Sequence, residues 1–351
     1  MKILLLGGTG AMGSALVKLL ENTENEVVVT SRSERESFNN IEYIKGNAKD
    51  IVFLKSVINN EFDVVVDFMV YTTSEFKERM HFILDNTKQY IFLSSSRVFA
   101  ESSQPITEKA NRLIDVCEDE EYLKTDEYAL TKGRQENLLF ESSKKNWTVI
   151  RPYITYNTNR LQLGVYEKEN WLWRCLNGKP IVIPKDILDK KTCITYGEDV
   201  SLALMKLIGK EEALGETYNI TSSNSVKWSE ILDLYKRVIE KETDIKVKVI
   251  ETNDSTSLLK VWNNAQIKYD RLYDREFDNS KIMTTCDSLS FCGLEKLEEC
   301  IRDFLKNPQW RFIRWNFEAW ADRQSKTMKG FLKIPGFKTK LKYLKWRFLV
   351  K

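Results

Sequence analysis

The first half of the chain alternates between short apolar runs and segments in which apolar residues recur at helical spacing. The runs are rich in Val, Ile, Leu or Phe, which favours strands that are buried on both faces. We predict strands at Lys2–Leu6, Glu26–Thr30, Ile41–Lys45, Asp63–Asp67, Tyr90–Ser94 and Thr148–Arg151. The segments between them predict helices at Ala11–Glu21, Ile51–Asn59, Ser74–Asn86 and Glu127–Lys144. This alternation indicates a doubly wound α/β fold, with a parallel sheet covered by helices on both faces.

Beyond Pro152 the alternation becomes less regular. Helical patterns and one strand pattern predict a smaller α/β lobe, with elements at Val165–Leu176, Glu198–Ile208, Trp228–Glu240, Lys246–Ile250 and Leu294–Lys306. Pro308 favours an end to this lobe, because a proline disfavours helix at the residue before it. We therefore predict three parts: residues 1–151, a lobe at 152–308 that is partly intertwined with them, and an extension at 309–351.

Three glycines follow the first predicted strand directly. Gly7, Gly10 and Gly13 lie between that strand and an amphipathic helix, where glycine permits a sharp turn and a close approach of backbone to phosphate. The sequence therefore predicts a Rossmann-type dinucleotide site in residues 1–151. The second strand is followed by Ser31 and Arg32. An arginine there can pair with the 2′-phosphate of NADP, so NADP(H) is slightly favoured over NAD(H).

Tyr128 and Lys132 lie four residues apart in a predicted helix. That spacing places a phenol and an ammonium one turn apart on the same face. A phenol with a pKa of about 10 is a poor base at neutral pH, and a nearby ammonium favours the phenolate. Together with a dinucleotide site, the pair indicates hydride chemistry on a hydroxyl or a carbonyl.

Composition narrows the classes of protein that need to be considered. The 351 residues are 42% hydrophobic and 30% charged, as is ordinary for a globular protein. We find no apolar run long enough for a membrane span and no signal peptide, so the sequence predicts a cytoplasmic protein. The six cysteines form no CxxC pair, and the one histidine is His81. We expect no metal site, and a Ser-His-Asp triad is disfavoured.

Further motifs follow along the chain in a recognisable order. They are Gly46-Asn47-Ala48 with Asp50, Ser94-Ser95-Ser96-Arg97-Val98-Phe99, Arg151-Pro152, Gly197-Glu198-Asp199-Val200 and Gly215-Glu216-Thr217-Tyr218-Asn219-Ile220. With the glycine turn and the Tyr128–Lys132 pair, they resemble the extended short-chain dehydrogenase/reductase superfamily. The resemblance covers most of residues 1–305 and is specifically to its NAD(P)-dependent nucleotide-sugar epimerases and dehydratases. It implies a nucleoside-diphosphate sugar as substrate, polysaccharide or glycoconjugate biosynthesis as the setting, and a homodimer.

The resemblance also implies roles for individual residues. Tyr128 would be the catalytic acid and base and Lys132 its tuner, while Ser95, with Ser96 as the fallback, would hold the reacting oxygen. The implied cofactor-binding residues are Gly7, Thr9, Gly10, Ala11, Met12, Gly13, Ser31, Arg32, Asn47, Ala48, Phe68, Met69, Lys132 and Pro152. The candidate substrate contacts are Tyr156, Asn157, Arg275 and Lys281.

The reaction stays open among three alternatives. Dehydratases of this family use a Thr-Asp-Glu run where this chain has Ser95-Ser96-Arg97. An arginine cannot remove a proton, so dehydration is disfavoured. Epimerisation by transient oxidation and re-reduction needs only the tyrosine, the lysine, the serine and a retained cofactor, and we favour it. The alternatives are an NADPH-dependent keto-sugar-nucleotide reductase and a non-catalytic relative that senses a dinucleotide or binds RNA.

The last segment, residues 309–351, differs in character from the rest of the chain. It has twelve Lys and Arg against Glu318 and Asp322, and ten aromatic residues. Residues 338–351 form a basic amphipathic stretch, which can lie in a membrane interface. Packing on the body or on a partner subunit is an equally open interpretation, and nucleic acid is disfavoured because the remainder of the chain is acidic. Peripheral contact with the inner face of a membrane is therefore one expected localisation.

Overall fold

The computed structural model describes residues 1–58 and 62–349, which divide into two compact units. The first unit consists of Met1–Thr155, Cys193–Ser223 and Phe277–Cys292, and the second consists of the remaining segments. We predicted boundaries after residues 151 and 308, with the lobe at 152–308 partly intertwined with residues 1–151. Two later segments return to the first unit, and the described part of the extension, residues 309–349, belongs to the second.

A parallel sheet is the centre of the first unit. In the described residues it has seven strands, which we number in chain order: Lys2–Leu6, Glu26–Ser31, Ile41–Lys45, Phe62–Asp67, Thr87–Leu93, Trp147–Pro152 and Glu216–Ile220. Their spatial order is seventh, sixth, fifth, fourth, first, second, third. All neighbouring pairs are parallel, so this is a Rossmann-type fold. The seventh strand explains why residues 193–223 return: Tyr218 pairs with Ile150 at the edge of the sheet.

Alternate residues of each strand face opposite layers of helices. Ile3 and Leu5 lie in one apolar core, and Leu4 and Leu6 lie in the other. The helices and other short strands of the first unit are Ala11–Leu20, Ile51–Val57, Thr73–Asp85, Leu113–Val116, Glu120–Leu123, Tyr128–Glu141, Thr195–Tyr196, Gly197–Leu207 and Ser280–Thr285. The predicted helix at Ile51–Asn59 is present over Ile51–Val57, and Asn59 lies outside the described residues.

The connectivity creates a switch point. The first strand lies between the fourth and the second. The chain therefore runs from the first strand towards one edge of the sheet, through the second and third strands, and then returns to the fourth strand on the other side of the first. Ligands of open α/β sheets bind in the crevice at the carboxyl ends of such strands. Gly7 begins the loop after the first strand, and Phe68 begins the loop after the fourth.

The second unit is smaller and mainly helical. Its helices and strands are Lys168–Leu176, Ile181–Pro184, Lys185–Leu188, Ser225–Lys227, Trp228–Glu242, Val249–Thr252, Asn264–Gln266, Leu294–Lys306, Trp315–Gln324 and Phe337–Leu344. Two short strands, Thr155–Tyr156 and Lys191–Cys193, cross the boundaries between the units. The strand predicted at Lys246–Ile250 was placed three residues too early, because pairing with Ile181–Pro184 begins only at Val249. Among the described residues, no helix has both the length and the apolar character needed to cross a bilayer.

Candidate active site

A glycine turn links the first strand to the helix Ala11–Leu20. Gly7 has a φ of +70°, a conformation that favours glycine, and its N–H donates to Thr30 Oγ1 at 3.0 Å. A Cβ added at Gly13 would lie 2.5 Å from the carbonyl oxygen of Gly8. A Cβ at Gly10 would meet nothing within 4 Å, and no side chain caps the helix that begins after it. The turn therefore presents exposed backbone and an uncapped helix terminus, where an anion is stabilised.

The first cleft of the site adjoins this turn. It has a volume of about 270 Å³ and is lined by Gly7, Thr9, Thr30, Ser31, Arg32, Gly46, Asn47, Ala48, Lys49 and Met69. These residues come from the carboxyl ends of the first four strands and the loops after them. Arg32 is exposed beside the buried Ser31.

The second cleft contains the predicted catalytic pair. It has a volume of about 300 Å³ and is lined by Lys49, Val70, Tyr71, Thr72, Asp126, Tyr128, Thr131 and Lys132. Tyr128 is the first residue of its helix and is 36% exposed, whereas Lys132, one turn later, is buried. Lys49 lines both clefts.

The buried ammonium of Lys132 is held at the end of the fifth strand. Its Nζ donates to the carbonyl oxygen of Leu93 at 2.7 Å and lies 4.4 Å from the centre of the Phe92 ring. Burial lowers the pKa of the ammonium to about 8, against the attraction of the Asp67 and Glu136 carboxylates. An ammonium has three protons, so two remain after the bond to Leu93.

Asp67 ends the fourth strand and organises the polar groups beneath the second cleft. Its carboxylate accepts bonds from the Met69 N–H at 2.9 Å, the Tyr90 hydroxyl at 2.9 Å and the Tyr71 hydroxyl at 3.3 Å. Burial raises the pKa of this carboxyl more than those bonds and Lys132 lower it. Burial likewise raises the pKa of both phenols well above the usual value. These tyrosines are therefore hydrogen-bond donors rather than acids.

The three consecutive serines have different partners. Ser94 Oγ donates to Glu136 at 2.6 Å, and Ser96 Oγ donates to a carbonyl oxygen of the sixth strand at 2.7 Å. Ser95 Oγ instead accepts the N–H of Arg97 at 3.2 Å, a bond that leaves its proton unused. Ser96 thus holds two strand ends together, while Ser95 caps the short turn Ser96–Val98.

Arg97 links the serine run to the start of the helix Tyr128–Glu141. Its guanidinium lies 5.4 Å from the centre of the Tyr128 ring and donates to Glu127 at 2.9 Å. Glu127 caps the helix by accepting the N–H of Ala129 at 2.8 Å, and it also accepts the hydroxyl of Tyr122 at 3.0 Å. The ion pair with Glu127 therefore holds the Arg97 guanidinium near the Tyr128 ring.

Comparison with known proteins identifies the family. Residues 3–221 match the model of the NAD dependent epimerase/dehydratase family, which is more than half of the chain. The chain belongs to this family. No curated protein sequence matches it significantly.

Solved structures resemble this family member in fold. UDP-glucuronic acid 4-epimerase from Bacillus cereus, in complex with UDP-glucuronic acid and NAD, is 18% identical with a TM-score of 0.66, over 88% of this chain and 100% of that one. dTDP-glucose 4,6-dehydratase from Bacillus anthracis, in complex with NAD, is 16% identical with a TM-score of 0.66, over 88% and 98%. The epimerase Mth375 from Methanothermobacter thermautotrophicus is 17% identical with a TM-score of 0.64, over 87% and 92%.

The residues of this family member fit a dinucleotide. Close backbone contact at Gly13, open space at Gly10 and the positive φ of Gly7 together form a cradle that side chains would fill. Of the other predicted cofactor residues, Phe68 and Met12 pack on one core, Pro152 is buried in the sixth strand, and the side chain of Ala11 lies outside the described part. In the described residues, no group of three or more His, Cys, Asp or Glu is placed to hold a metal ion.

The structure gives the predicted substrate contacts partners within the protein. In the second unit, Tyr156 is buried with its hydroxyl donating to a carbonyl oxygen at 2.8 Å, and Asn157 Oδ1 accepts a neighbouring N–H at 2.9 Å. Arg275 is fully buried and pairs with Asp270 at 3.2 Å. In the first unit, Lys281 pairs with a glutamate at 2.6 Å. Their roles stay predictions, and the burial of Arg275 does not favour contact with a diphosphate.

Sequence reasoning missed several residues of the two clefts. Lys49 follows the third strand, and Val70, Tyr71 and Thr72 follow the fourth. Their positions in the sequence could have indicated them, because the loops at the carboxyl ends of parallel strands line the ligand site in this fold.

Proposed function

We propose that this protein is an NAD(P)-dependent epimerase of a nucleoside-diphosphate sugar, which acts by transient oxidation of a hydroxyl and re-reduction of the keto intermediate. The observation that carries the proposal is the convergence of Tyr128 and Lys132 on one cleft that shares Lys49 with the cleft at the glycine turn. The Bacillus cereus relative of the same fold binds UDP-glucuronic acid and NAD, which supports the substrate class.

The proposed roles follow from protons and charge. Tyr128, exposed in the cleft, takes the proton of the sugar hydroxyl as phenolate and returns it. Ser95 holds the reacting oxygen with its remaining proton. In this proposal the positive charges of Lys132 and Arg97 stabilise the phenolate, and a second proton of Lys132 bonds the cofactor ribose. The bound dinucleotide supplies a hydride acceptor and donor.

The same geometry disfavours dehydration. Elimination of water needs a base and an acid at neighbouring carbons, in addition to the tyrosine. Arg97 occupies the end of the serine run, and its guanidinium is paired with Glu127 at 2.9 Å. A cation that never loses its proton cannot take the role of the base there.

One observation favours a second candidate, a reductase that uses exchangeable NADPH. Arg32 is exposed and lines the first cleft beside Ser31. A guanidinium in that position can pair with a 2′-phosphate. The reductase would use the same Tyr128, Lys132 and Ser95.

Proton NMR of the purified protein with UDP-, dTDP-, GDP- and CDP-sugars separates these functions. We expect a new anomeric signal without added cofactor in the wild type and none with Tyr128→Phe. Tyr43→Phe is the matched control, because it also removes one phenol hydroxyl but lies in the third strand, outside both cleft linings. Turnover of a keto sugar only with NADPH would replace the epimerase with the reductase. Equal turnover by wild type and Tyr128→Phe would refute both.

A further inference from the structure

Exposed apolar side chains are concentrated near the end of the described chain. Of the fourteen large apolar side chains exposed in the described residues, seven lie between 312 and 349. Leu332 is 84% exposed, Leu349 75% and Phe337 74%. Scattered single exposures are normal, but a cluster of this kind marks an interaction surface.

The same segment has charge of one sign. Residues 326–349 contain eight Lys and Arg and no Asp or Glu. The surface is therefore complementary to an anionic partner that also accepts apolar side chains.

The helix Phe337–Leu344 is anchored by its inner side. Tyr343 is buried, and its hydroxyl donates to Asp322 at 2.6 Å. Asp322 and Glu318, on the helix Trp315–Gln324, are buried with Arg174 and Lys179 at 2.7–3.0 Å. This cluster ties both C-terminal helices to the second unit, so the outward side chains form a surface with a fixed orientation.

The outward side of this helix and the turn after it has two stripes. Phe337 and Leu341 are four residues apart and share one side of the helix, and Phe348 lies in the π-helical turn Lys345–Leu349 that follows it. Lys338, Lys342 and Lys345 lie beside them, and all six are exposed. We call these six residues the outer face.

We propose that the outer face binds the surface of an anionic lipid bilayer, with Phe337, Leu341 and Phe348 in the headgroup region and the lysines on lipid phosphates and carboxylates. An interfacial helix has this arrangement, and exposed Leu332 and Leu349 extend its apolar area. Lipid is favoured over nucleic acid because leucines gain by entering an apolar layer, whereas a nucleic acid offers them only charged backbone and bases for stacking.

Vesicle flotation of the full chain tests this proposal. We expect binding to phosphatidylcholine vesicles with about 30 mol% phosphatidylserine at about 0.15 M salt, and little binding to phosphatidylcholine alone. Each lysine lost should weaken binding about 5-fold, so Lys338→Gln/Lys342→Gln/Lys345→Gln should lose about 100-fold. Phe337→Ser/Leu341→Ser/Phe348→Ser should lose roughly 10-fold or more.

Matched controls separate the outer face from general charge and from misfolding. A triple change of exposed lysines elsewhere should leave binding unaltered: Lys88→Gln/Lys124→Gln/Lys246→Gln. All variants should retain the thermal midpoint of the wild type, because the changed side chains are exposed. Failure to bind anionic vesicles, or binding that survives both outer-face variants, would overturn the proposal. The proposal would also be overturned if the triple lysine variant lost vesicle binding while the triple apolar variant kept it. Tighter binding to RNA or duplex DNA than to vesicles at equal salt would overturn it as well.

Discussion

Replacing Lys132 with methionine is expected to stabilise the cofactor-free protein at neutral pH while abolishing turnover. The ammonium is buried at the end of the fifth strand, and burial lowers its pKa from 10.5 to about 8. A group with a lower pKa in the folded state than in the unfolded state makes folding less favourable at every pH at which the folded state still holds its proton. Methionine has similar length without the charge, so it removes that penalty.

The magnitude and the sign follow from linkage. A shift of about 2.5 pKa units at about 1.4 kcal/mol each is a penalty of about 3 kcal/mol below pH 8. It declines as pH rises, because the folded state has already lost this proton and the unfolded state loses it as pH approaches 10.5. The variant also loses the 2.7 Å bond to Leu93, which costs about 1 kcal/mol. We therefore expect a gain of about 2 kcal/mol at pH 6.5 and about zero at pH 10.

Urea unfolding of the wild type and Lys132→Met at pH 6.5 and pH 10 measures this difference. The cofactor is removed first, because its binding would add stability of its own. Lys77→Met, an exposed lysine on another helix of the first unit, should change the free energy of unfolding by less than about 0.5 kcal/mol at either pH. A variant that is less stable than the wild type at pH 6.5, or a difference that does not change with pH, would refute the reasoning.

Further predictions concern neighbouring residues. Gly13→Ala should lower the thermal midpoint, because its Cβ would lie 2.5 Å from a backbone carbonyl, whereas Gly10→Ala should keep the midpoint and weaken NAD binding in a fluorescence titration. Ser96→Ala and Ser95→Ala should each lose about 1 kcal/mol of stability in urea unfolding, because each loses one hydrogen bond, but only Ser95→Ala should lower kcat. Tyr343→Phe should cost about 1–3 kcal/mol in the same assay, since Asp322 loses a buried donor. Reversal of the contrast between the two glycine variants or between the two serine variants would contradict the assigned contacts. So would a Tyr343→Phe variant with the same free energy of unfolding as the wild type.

The sheet could be predicted because its signals are local. The strand at Ile41–Lys45 has the bounds that the apolar run indicates, and the helix after Gly10 ends one residue earlier than expected. Bounds fail where pairing decides them, as at Val249, because alternation shows which residues suit a strand but not where the partner strand begins. The division of the chain into units also depends on pairing between distant segments.

The candidate site could be predicted only where its residues are close in sequence. Tyr128 and Lys132 are one turn apart, so their proximity follows from the helix alone. The environment that sets the charge on Lys132 comes from Asp67 and Leu93, which the fold brings together from other strands. Arg275 shows the opposite case, because sequence gives its charge but not its burial against Asp270.

Product NMR after turnover in D₂O tests the central claim most directly. If the carbon is inverted by removal and return of the same hydride, the epimerised sugar should contain no solvent deuterium at that carbon, and Tyr128→Phe should give no product. Deuterium at the inverted carbon would instead show that a proton is abstracted and replaced from solvent. That result would contradict transient oxidation as the reaction of this protein.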